Sequence, residues 1–176
     1  MEHRVNSEIF LKQISQTYSH KLYDLIQSNQ KSKLLYWCPD LKQTYKDLNS
    51  TQFHIDDANS KFSKDGSPDL LIFLNHQLSG LISLSPLYEE GSASEVGYWL
   101  ADNFTGKGVI SKCFPFILEY AKNKLNLSKL DISTSITNIR SQKIPIKFNF
   151  SKGRIIKEVE IINGKKVDHI LWTLNL

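Results

Sequence analysis

The chain has 176 residues, of which 40% are hydrophobic and 23% charged, proportions that are ordinary for a globular protein. Its longest apolar run, Leu70–Leu74, is far shorter than the ~20 residues of a membrane-spanning helix. The N-terminus also lacks the apolar core of a signal peptide. The net charge of +4 is spread over scattered lysines without a dense basic stripe, so direct nucleic-acid binding is not expected.

The two cysteines, Cys38 and Cys113, are isolated from each other and from any histidine at metal-ligand spacing. This pattern favours two reduced thiols, no metal site and a cytoplasmic location. The length is that of one domain, which we expect to cover residues 1–176.

The first part of the chain is predicted to contain one strand and two helices. Apolar residues at helical spacing, among them Leu22 and Ile26, predict a helix over Tyr18–Asn29. We expect an edge strand at Ile9–Ser15 before it. A second helix is predicted within Ser50–Lys64.

The rest of the chain alternates strands with helices. The predicted strands are Asp69–Asn75, Gln77–Leu84, Ser94–Ala101 and Leu130–Ser135, followed by a hairpin of Ile155–Ile162 and Lys165–Leu174 around the turn pair Asn163-Gly164. The predicted helices are Ile110–Leu125, where Pro115 should cause a local kink, and Arg140–Phe148. This order predicts an α+β fold with a mixed, mostly antiparallel sheet of about six or seven strands.

A short polar loop with two glycines connects the Ser94–Ala101 strand to the Ile110–Leu125 helix. The segment Glu95–Cys113 reads E-V-G-Y-W-L-A-D-N-F-T-G-K-G-V-I-S-K-C, with Gly106 and Gly108 at the junction. Glycines there leave backbone N–H groups uncovered at the positive end of a helix dipole, where a phosphate or pyrophosphate can bind. The alternative is an ordinary strand-to-helix turn. The loop makes the chain a candidate enzyme.

The order of elements and four segments resemble the GNAT (Gcn5-related) N-acetyltransferases, especially the ribosomal-protein-serine and ribosomal-protein-alanine types. The segments are E-V-G-Y-W-L…T-G-K-G-V-I-S within Glu95–Ser111, N-I-R-S at Asn138–Ser141, K-F-N-F at Lys147–Phe150, and E-V-E-I-I-N-G at Glu158–Gly164. The likeness runs from about Ile9 to Leu174. Thr105, Ile110 and Asn149 depart from the family pattern, but none of them removes a backbone donor.

This resemblance implies a three-layer α/β/α fold with acetyl-CoA (coenzyme A) in a V-shaped splay between central strands. It implies that the loop amides hold the pyrophosphate and that the strand edge at Tyr98–Leu100 pairs with the pantetheine arm and polarises the thioester carbonyl. The cofactor-binding residues it implies are Tyr98, Trp99, Leu100, Gly106, Lys107, Gly108, Val109, Ile110, Ser111 and Asn138.

Three residues receive catalytic roles. Ser141 matches the family's general acid toward the leaving thiolate, although a serine there could also cap a helix. Glu160 matches a carboxylate proposed as general base, with a solvated strand residue as the alternative. Glu95 is a second candidate base, acting through water. Trp37 is a candidate wall of the acceptor site or, equally, a core residue.

Three histidines have no partner that the sequence reveals. They are His54, His76 and His169, and we expect them to be surface or edge residues.

The resemblance implies acetyl transfer to a primary amine. An α-amino group has a pKa of about 7.7–8.0 and a lysine side chain about 10.4, so a protein N-terminus needs only a weak base. The motifs contain no strong base, which favours a protein N-terminus, of ribosomal-protein type. One alternative is a small amine, such as the polyamine spermidine or an aminoglycoside; another is a non-catalytic acyl-CoA-binding module.

Two further expectations concern the acceptor groove and the oligomeric state. A polyamine would need an acidic groove, for which the sequence offers Asp56, Asp57, Glu89 and Glu90. Dimers are common in the resembled subfamily, and the C-terminal hairpin is a plausible contact for a homodimer.

Overall fold

Eight strands form one sheet within residues 1–85 and 94–176, the part of the chain that the computed structural model describes. The strands are β1 (Glu2–Arg4), β2 (Ile9–Gln13), β3 (Asp69–Leu74), β4 (Gln77–Leu84), β5 (Ser94–Leu100), β6 (Lys129–Ser135), β7 (Ser151–Ile162) and β8 (Lys165–Asn175). Their order in the sheet is β1-β2-β3-β4-β5-β6-β8-β7. Strands β5 and β6 run parallel, and the other neighbours are antiparallel.

The helices confirm the four predicted ones to within two residues at their ends and add two short ones. They are α1 (Ser19–Gln27), α2 (Lys33–Trp37), α3 (Leu41–Thr44), α4 (Leu48–Asp65), α5 (Val109–Asn123) and α6 (Ile139–Lys147). Helices α2 and α3 are too short to show a helical period, so the sequence did not reveal them. Helix α5 continues through Pro115, and the kink expected there stays a prediction.

The sheet is covered by helices on both faces, which gives the three layers expected from the family resemblance. Helix α5 packs on one face, where Phe114 and Ile117 meet residues such as Ile72 of β3. Helices α1 and α4 cover part of the other face, where Leu22 of α1 packs with Leu71 of β3. Because β3 is buried on both faces, its apolar residues form a continuous run rather than an alternating one.

The edges of the sheet differ from the expectation at one point. Strand β2 was expected at the edge, but β1 pairs with it and lies outside it. Strand β1 consists of the polar residues Glu2, His3 and Arg4. The sequence therefore has no apolar alternation from which this strand could be predicted. At the other edge, Asn163 and Gly164 have φ angles of 50° and 76°, as the predicted type I′ hairpin turn requires.

The parallel contact between β5 and β6 is short. Only Ser94 with Leu130 and Glu95 with Asp131 are paired, and the strands diverge beyond these two pairs. Strand β6 pairs with β8 along its whole length, and β5 pairs with β4 as far as Leu100. The edge of β5 over residues 96–100 is therefore left without a strand partner on the β6 side, which is the V-shaped splay expected from the resemblance.

Gly80 in β4 lies against the backbone of β5, and no side chain fits at this position. A Cβ atom on Gly80 would lie 2.1 Å from the carbonyl oxygen of Trp99 and 2.8 Å from Cδ2 of Leu100. We expect Gly80→Ala to lower the free energy of unfolding by about 2 kcal/mol, because the added methyl group forces paired strands apart. Chemical denaturation measures this change.

Gly97→Ala on the facing strand is the matched control. Its Cβ atom would meet the Ser83 hydroxyl at 3.1 Å, a side-chain contact that can shift. We expect it to cost less than about 1 kcal/mol. Equal stability of the two variants would contradict the role assigned to Gly80.

Candidate active site

The glycine loop ends at the N-terminus of α5, as the sequence predicts. Gly106 and Gly108 have φ angles of 77° and 70°, in the left-handed region, and a Cβ atom on either would meet nothing within 4 Å. The positions therefore need glycine for its backbone conformation rather than for space. Gly108 is the N-cap of α5 and has no side chain to accept from the first-turn N–H groups. These amides remain available to an anionic ligand.

A cleft of about 460 Å³ runs from this loop along the free edge of β5. Helix α2 and the start of α6 form its other walls. Among its lining residues are eleven that the sequence predicted for the site: Trp37, Tyr98, Trp99, Leu100, Gly106, Gly108, Val109, Ile110, Ser111, Asn138 and Ser141. Local motifs and the family resemblance thus converge on one cavity.

Three predicted residues are not among those that line this cleft. Lys107 projects over the ring of Phe104, with its Nζ 5.8 Å from the ring centroid. Glu95 lines a separate depression of about 200 Å³, together with Asp69. Glu160 lies on β7, beside His169 of β8.

Ser141 is held in the cleft by two neighbours. Asn138 is the N-cap of α6, and its Oδ1 accepts a hydrogen bond from the Ser141 backbone N–H at 3.2 Å. The capping residue is therefore Asn138 and not Ser141. The Tyr98 hydroxyl donates to the Ser141 carbonyl at 3.0 Å and lies 3.1 Å from Ser141 Oγ. Burial raises the pKa of Tyr98 to about 12, so the phenol stays protonated at neutral pH.

Asp102 ties α2 to the glycine loop. Its carboxylate accepts hydrogen bonds from the backbone N–H groups of Lys33 at 2.9 Å and Leu34 at 3.1 Å. These are first-turn amides of α2, the helix that ends at Trp37. Sequence reasoning missed Asp102 because its partners lie 68 and 69 residues away along the chain.

A row of polar residues crosses β5, β6, β8 and β7 on the face opposite α5. We call Glu95, Asp131, Ser133, His169 and Glu160 the polar strip. Glu95 is paired with Asp131, and Ser133 Oγ lies 2.9 Å from His169 Nδ1. His169 Nε2 in turn lies 3.3 Å from Glu160 Oε2. His169 was expected to be a surface or edge residue, but it lies on β8, inside the edge strand β7, with 13% of its side chain exposed. The sequence revealed no partner for it because strand pairing brings together residues that are distant in sequence.

The environment of the strip changes the basicity of Glu95 and Glu160. Burial raises the pKa of Glu95, and the Ser133 backbone N–H acts in the opposite direction. Burial also raises the pKa of Glu160, while the neighbouring His169 counteracts it. A carboxylate whose pKa is raised is a better proton acceptor near neutral pH than an ordinary surface carboxylate.

Cys38 connects the strip to the cleft. It lines the cleft, and its pKa is raised to about 12, mainly by burial and then by the negative charge of Glu160. The charge of Glu160 therefore acts on Cys38, although Glu160 itself does not line the cleft. Burial also raises the pKa of Cys113 to about 12, so both thiols stay protonated at neutral pH and are poor nucleophiles.

The acidic groove expected for a polyamine does not form from the α4 residues. Asp56 accepts a hydrogen bond from Gln16, and Asp57 forms an ion pair with Lys61. Neither aspartate is among the residues that line the cleft. Glu89 and Glu90 lie outside the described residues.

The other two histidines do have neighbours. His54 Nε2 lies 4.0 Å from Asp69 Oδ2, and its ring meets Tyr45 edge-on. His76 stacks on Phe10 at the tip of the β3–β4 hairpin. Within residues 1–85 and 94–176, no group of three or more His, Cys, Asp and Glu residues is placed to hold a metal ion. In the same residues no helix has the length and apolar character to cross a bilayer.

The fold and the cleft together define an acyltransferase that uses a CoA thioester. A family model described as acetyltransferase (GNAT) domain matches residues 9–151, which is most of the chain. The chain belongs to the GNAT acetyltransferase family. It is an acetyl-CoA-dependent N-acetyltransferase, as the sequence motifs predicted.

Relatives and solved structures agree with this family. YdaF of Bacillus subtilis (strain 168), which bears the provisional name of a ribosomal N-acetyltransferase, is 25% identical over 97% of this chain and 93% of its own length. The ribosomal-protein-serine acetyltransferase of Escherichia coli (strain K12) is 23% identical over 96% of this chain and 93% of its own. A RimL ribosomal L7/L12 α-N-protein acetyltransferase solved with coenzyme A superposes with a TM-score of 0.91 at 19% identity, over 100% of this chain and 98% of that one.

The hydrogen bonds of Asp102 to α2 can be tested by removing its carboxylate. Each hydrogen bond to a charged group stabilises by about 1.5–3 kcal/mol, so we expect Asp102→Ala to loosen α2. The predicted result is hydrogen exchange at least about tenfold faster at the Lys33 and Leu34 amides, which corresponds to ~1.4 kcal/mol. We also expect weaker binding of acetyl-CoA, because α2 is a wall of the cleft.

Asp47→Ala is the matched control for this variant. Asp47 caps α4 by accepting from the Ser50 backbone N–H at 2.7 Å, and it does not line the cleft. We expect this variant to loosen α4 while α2 exchanges as before. Unchanged exchange of α2 in the Asp102 variant would show that the carboxylate does not hold this helix.

Proposed function

We propose that this enzyme transfers the acetyl group of acetyl-CoA to the N-terminal α-amine of a protein, of the ribosomal-protein type. The observation that carries the proposal is the arrangement of cleft and strip. The cleft follows the splayed edge of β5, and two carboxylates of raised pKa, Glu95 and Glu160, lie on the polar strip beside it. This arrangement supplies a modest base, which suits an α-amine better than a lysine side chain.

The residues of the cleft fit the donor. The amides of Val109 and its neighbours at the start of α5 can accept the pyrophosphate, and Lys33, Arg140 and Lys143 add positive charge to the walls. When bound, acetyl-CoA supplies an acetyl group activated as a thioester. Pairing of the arm with the free β5 edge and polarisation of the carbonyl by that edge remain our proposal, supported by the unpaired residues 96–100.

The proposed proton transfers use residues from both parts of the site. Glu160, with Glu95 acting through water, accepts a proton from the ammonium form of the acceptor and frees the nitrogen lone pair. A C–N bond then forms as the C–S bond breaks. Ser141 donates a proton to the sulfur, and the second proton that the acetylated nitrogen loses returns to Ser141 through solvent. The Tyr98 phenol, which donates to the Ser141 carbonyl and lies 3.1 Å from its Oγ, orients this hydroxyl.

Relatives support a protein N-terminus as the acceptor. The names of both curated relatives above refer to ribosomal acetylation, and each alignment spans 93% of the relative. We extend this acceptor class to the present chain as a proposal. Membership of an acetyltransferase family argues against the non-catalytic alternative.

A small amine is the second candidate acceptor. Glu95, Asp131 and Glu160 place three carboxylates on one face, and negative charge of this kind favours a polycation such as spermidine. The acceptor experiment below distinguishes the two candidates.

A cytoplasmic location and a homodimer remain predictions. The thiols of Cys38 and Cys113 are free, as expected in a reducing compartment. The hairpin proposed as a dimer contact exposes Ile155, Val159 and Ile161 on β7 at the sheet edge.

An acceptor panel tests the proposed function. The panel contains peptides that begin with serine or alanine and carry an internal lysine, the same peptides with a blocked α-amine, spermidine, and an aminoglycoside. We expect kcat/KM for the free peptides to exceed that for every other acceptor by at least about tenfold, or ~1.4 kcal/mol in transition-state binding. Mass spectrometry should place the acetyl group on the α-amine. Faster turnover of spermidine would favour the second candidate.

Ser141→Ala tests the proposed general acid. General acid–base catalysis contributes about 10²–10⁴-fold, so we expect kcat to fall by about 100-fold with little change in the affinity for acetyl-CoA. Ser63→Ala, at an exposed position on α4, is the matched control and should keep full activity. Full activity of the Ser141 variant would remove this residue from the mechanism.

A further inference from the structure

We propose that His169 is a positioning residue that orients the Glu160 carboxylate and keeps it available as the base for the acceptor amine. The inference rests on the proposed function, because it concerns the base of the same reaction. It assigns a role to a residue that no sequence motif connects with the site.

An irregularity in β7 places Glu160 beside His169. Ile156 pairs with His169 and Glu160 pairs with Val167, so residues 157–159 lie opposite Asp168 alone. Bulges of this kind re-aim the side chains that follow them. Glu160 and His169 then lie as diagonal neighbours on one face of the β7–β8 pair, where side chains can reach each other.

Asp168 fixes this bulge. Its carboxylate accepts hydrogen bonds from Lys157 Nζ at 2.7 Å and from the Glu158 backbone N–H at 3.1 Å. Glu158 itself has a φ of 54°, a left-handed conformation that is rare for a residue with a side chain. The position of Glu160 is therefore determined by a bulge with its own hydrogen bonds rather than by a regular strand.

The Glu160 carboxylate, which only accepts hydrogen bonds, favours the tautomer of His169 that carries its proton on Nε2, and Ser133 is placed to support it. Ser133 Oγ lies 2.9 Å from Nδ1, and a hydroxyl can donate to that nitrogen. The ring then carries its proton on Nε2, the atom 3.3 Å from Glu160 Oε2. Within the described residues, Nε2 is buried and has no well-aligned hydrogen-bond partner. Glu160 is the nearby acceptor with which Nε2 can form a hydrogen bond after a small movement of either side chain.

The charged groups around Glu160 and His169 influence the pKa of Glu160, the proposed base. From β5, Glu95 faces His169, and Asp131 of β6 faces Glu95. Asp40, which precedes α3, raises the pKa of Glu160 in addition to the larger effect of burial, whereas His169 lowers it. Burial therefore makes Glu160 more basic than a surface carboxylate, and His169 limits this rise in pKa so that the carboxylate stays ionised and can accept a proton from the amine.

Two substitutions of His169 separate the function of its two nitrogens. His169→Gln places an amide N–H where Nε2 stood, facing Glu160, whereas His169→Asn places an amide where Nδ1 stood, facing Ser133. We expect the Asn variant to lose at least tenfold in kcat/KM for the acceptor and the Gln variant to stay within about threefold of the unmodified enzyme. A purely structural role through Ser133 would give the opposite order.

The pH dependence supplies a readout that a structural role would not change. His169 lowers the pKa of Glu160, so its loss raises that pKa and leaves more of the carboxylate protonated at a given pH. The acidic limb of kcat/KM should therefore move to higher pH in the Asn variant and by a smaller amount in the Gln variant. His76→Gln, at an exposed histidine in the β3–β4 turn, is the matched control and should leave the profile unchanged.

A measurement without any acceptor separates this inference from the proposed function. Carbon-13 NMR of labelled glutamate carboxyl groups, with Glu160 assigned by its absence in Glu160→Gln, should show its titration midpoint at higher pH in the Asn variant. If the unmodified enzyme acetylates no peptide but the midpoint moves, the proposed function fails and the role of His169 stands. An unmoved midpoint in a folded Asn variant with unaltered turnover overturns the inference.

Discussion

The active site depends on the early end of pairing between β5 and β6. Two residue pairs hold the strands together at Ser94 and Glu95, and each strand then continues with its outer neighbour only. Their inner edges retain backbone N–H and C=O groups that need partners. An extended ligand can satisfy these groups, so we propose the break in the sheet as the element that binds the pantetheine arm. The glycine loop follows the β5 side of this break and brings the start of α5 to the cleft.

The helices cover the two faces of the sheet unequally, and the proposed acid and base lie in different parts of the structure. Helix α5 covers one face, and on the other face α1 and α4 pack over β3 and β4, next to the polar strip on β5, β6, β8 and β7. Burial raises the pKa of Glu95 and Glu160 on this strip, while Glu160 keeps 22% of its side chain exposed. Ser141 lines the cleft, so the proposed acid and the proposed base lie in different parts of the structure.

Features encoded by neighbouring residues could be predicted from the sequence, and contacts between distant segments could not. The glycine loop, α5 and the Asn163-Gly164 hairpin each follow from a local pattern, and the structure contains all three. The Asp102 contact joins segments almost 70 residues apart. The bulge before Glu160 lies inside a segment whose sequence predicts a continuous strand. Neither the position of the bulge nor the proximity of Glu160 to His169 could therefore be predicted. The short strand β1 has no apolar pattern to reveal it.

The same division explains why the donor is easier to infer than the acceptor. In the proposed function, backbone groups at the glycine loop and the β5 edge form much of the donor side. A site made of backbone groups survives side-chain changes that keep the glycine conformations. The proposed acceptor side consists of side chains on β6, β7 and β8, where a single replacement alters charge or shape. Substitutions in the strip can therefore change the acceptor while the cleft keeps its affinity for acetyl-CoA. For that reason the fold alone does not identify the acceptor amine. The arrangement of Glu160 and His169 is informative about the acceptor, whereas the glycine loop is informative only about the donor.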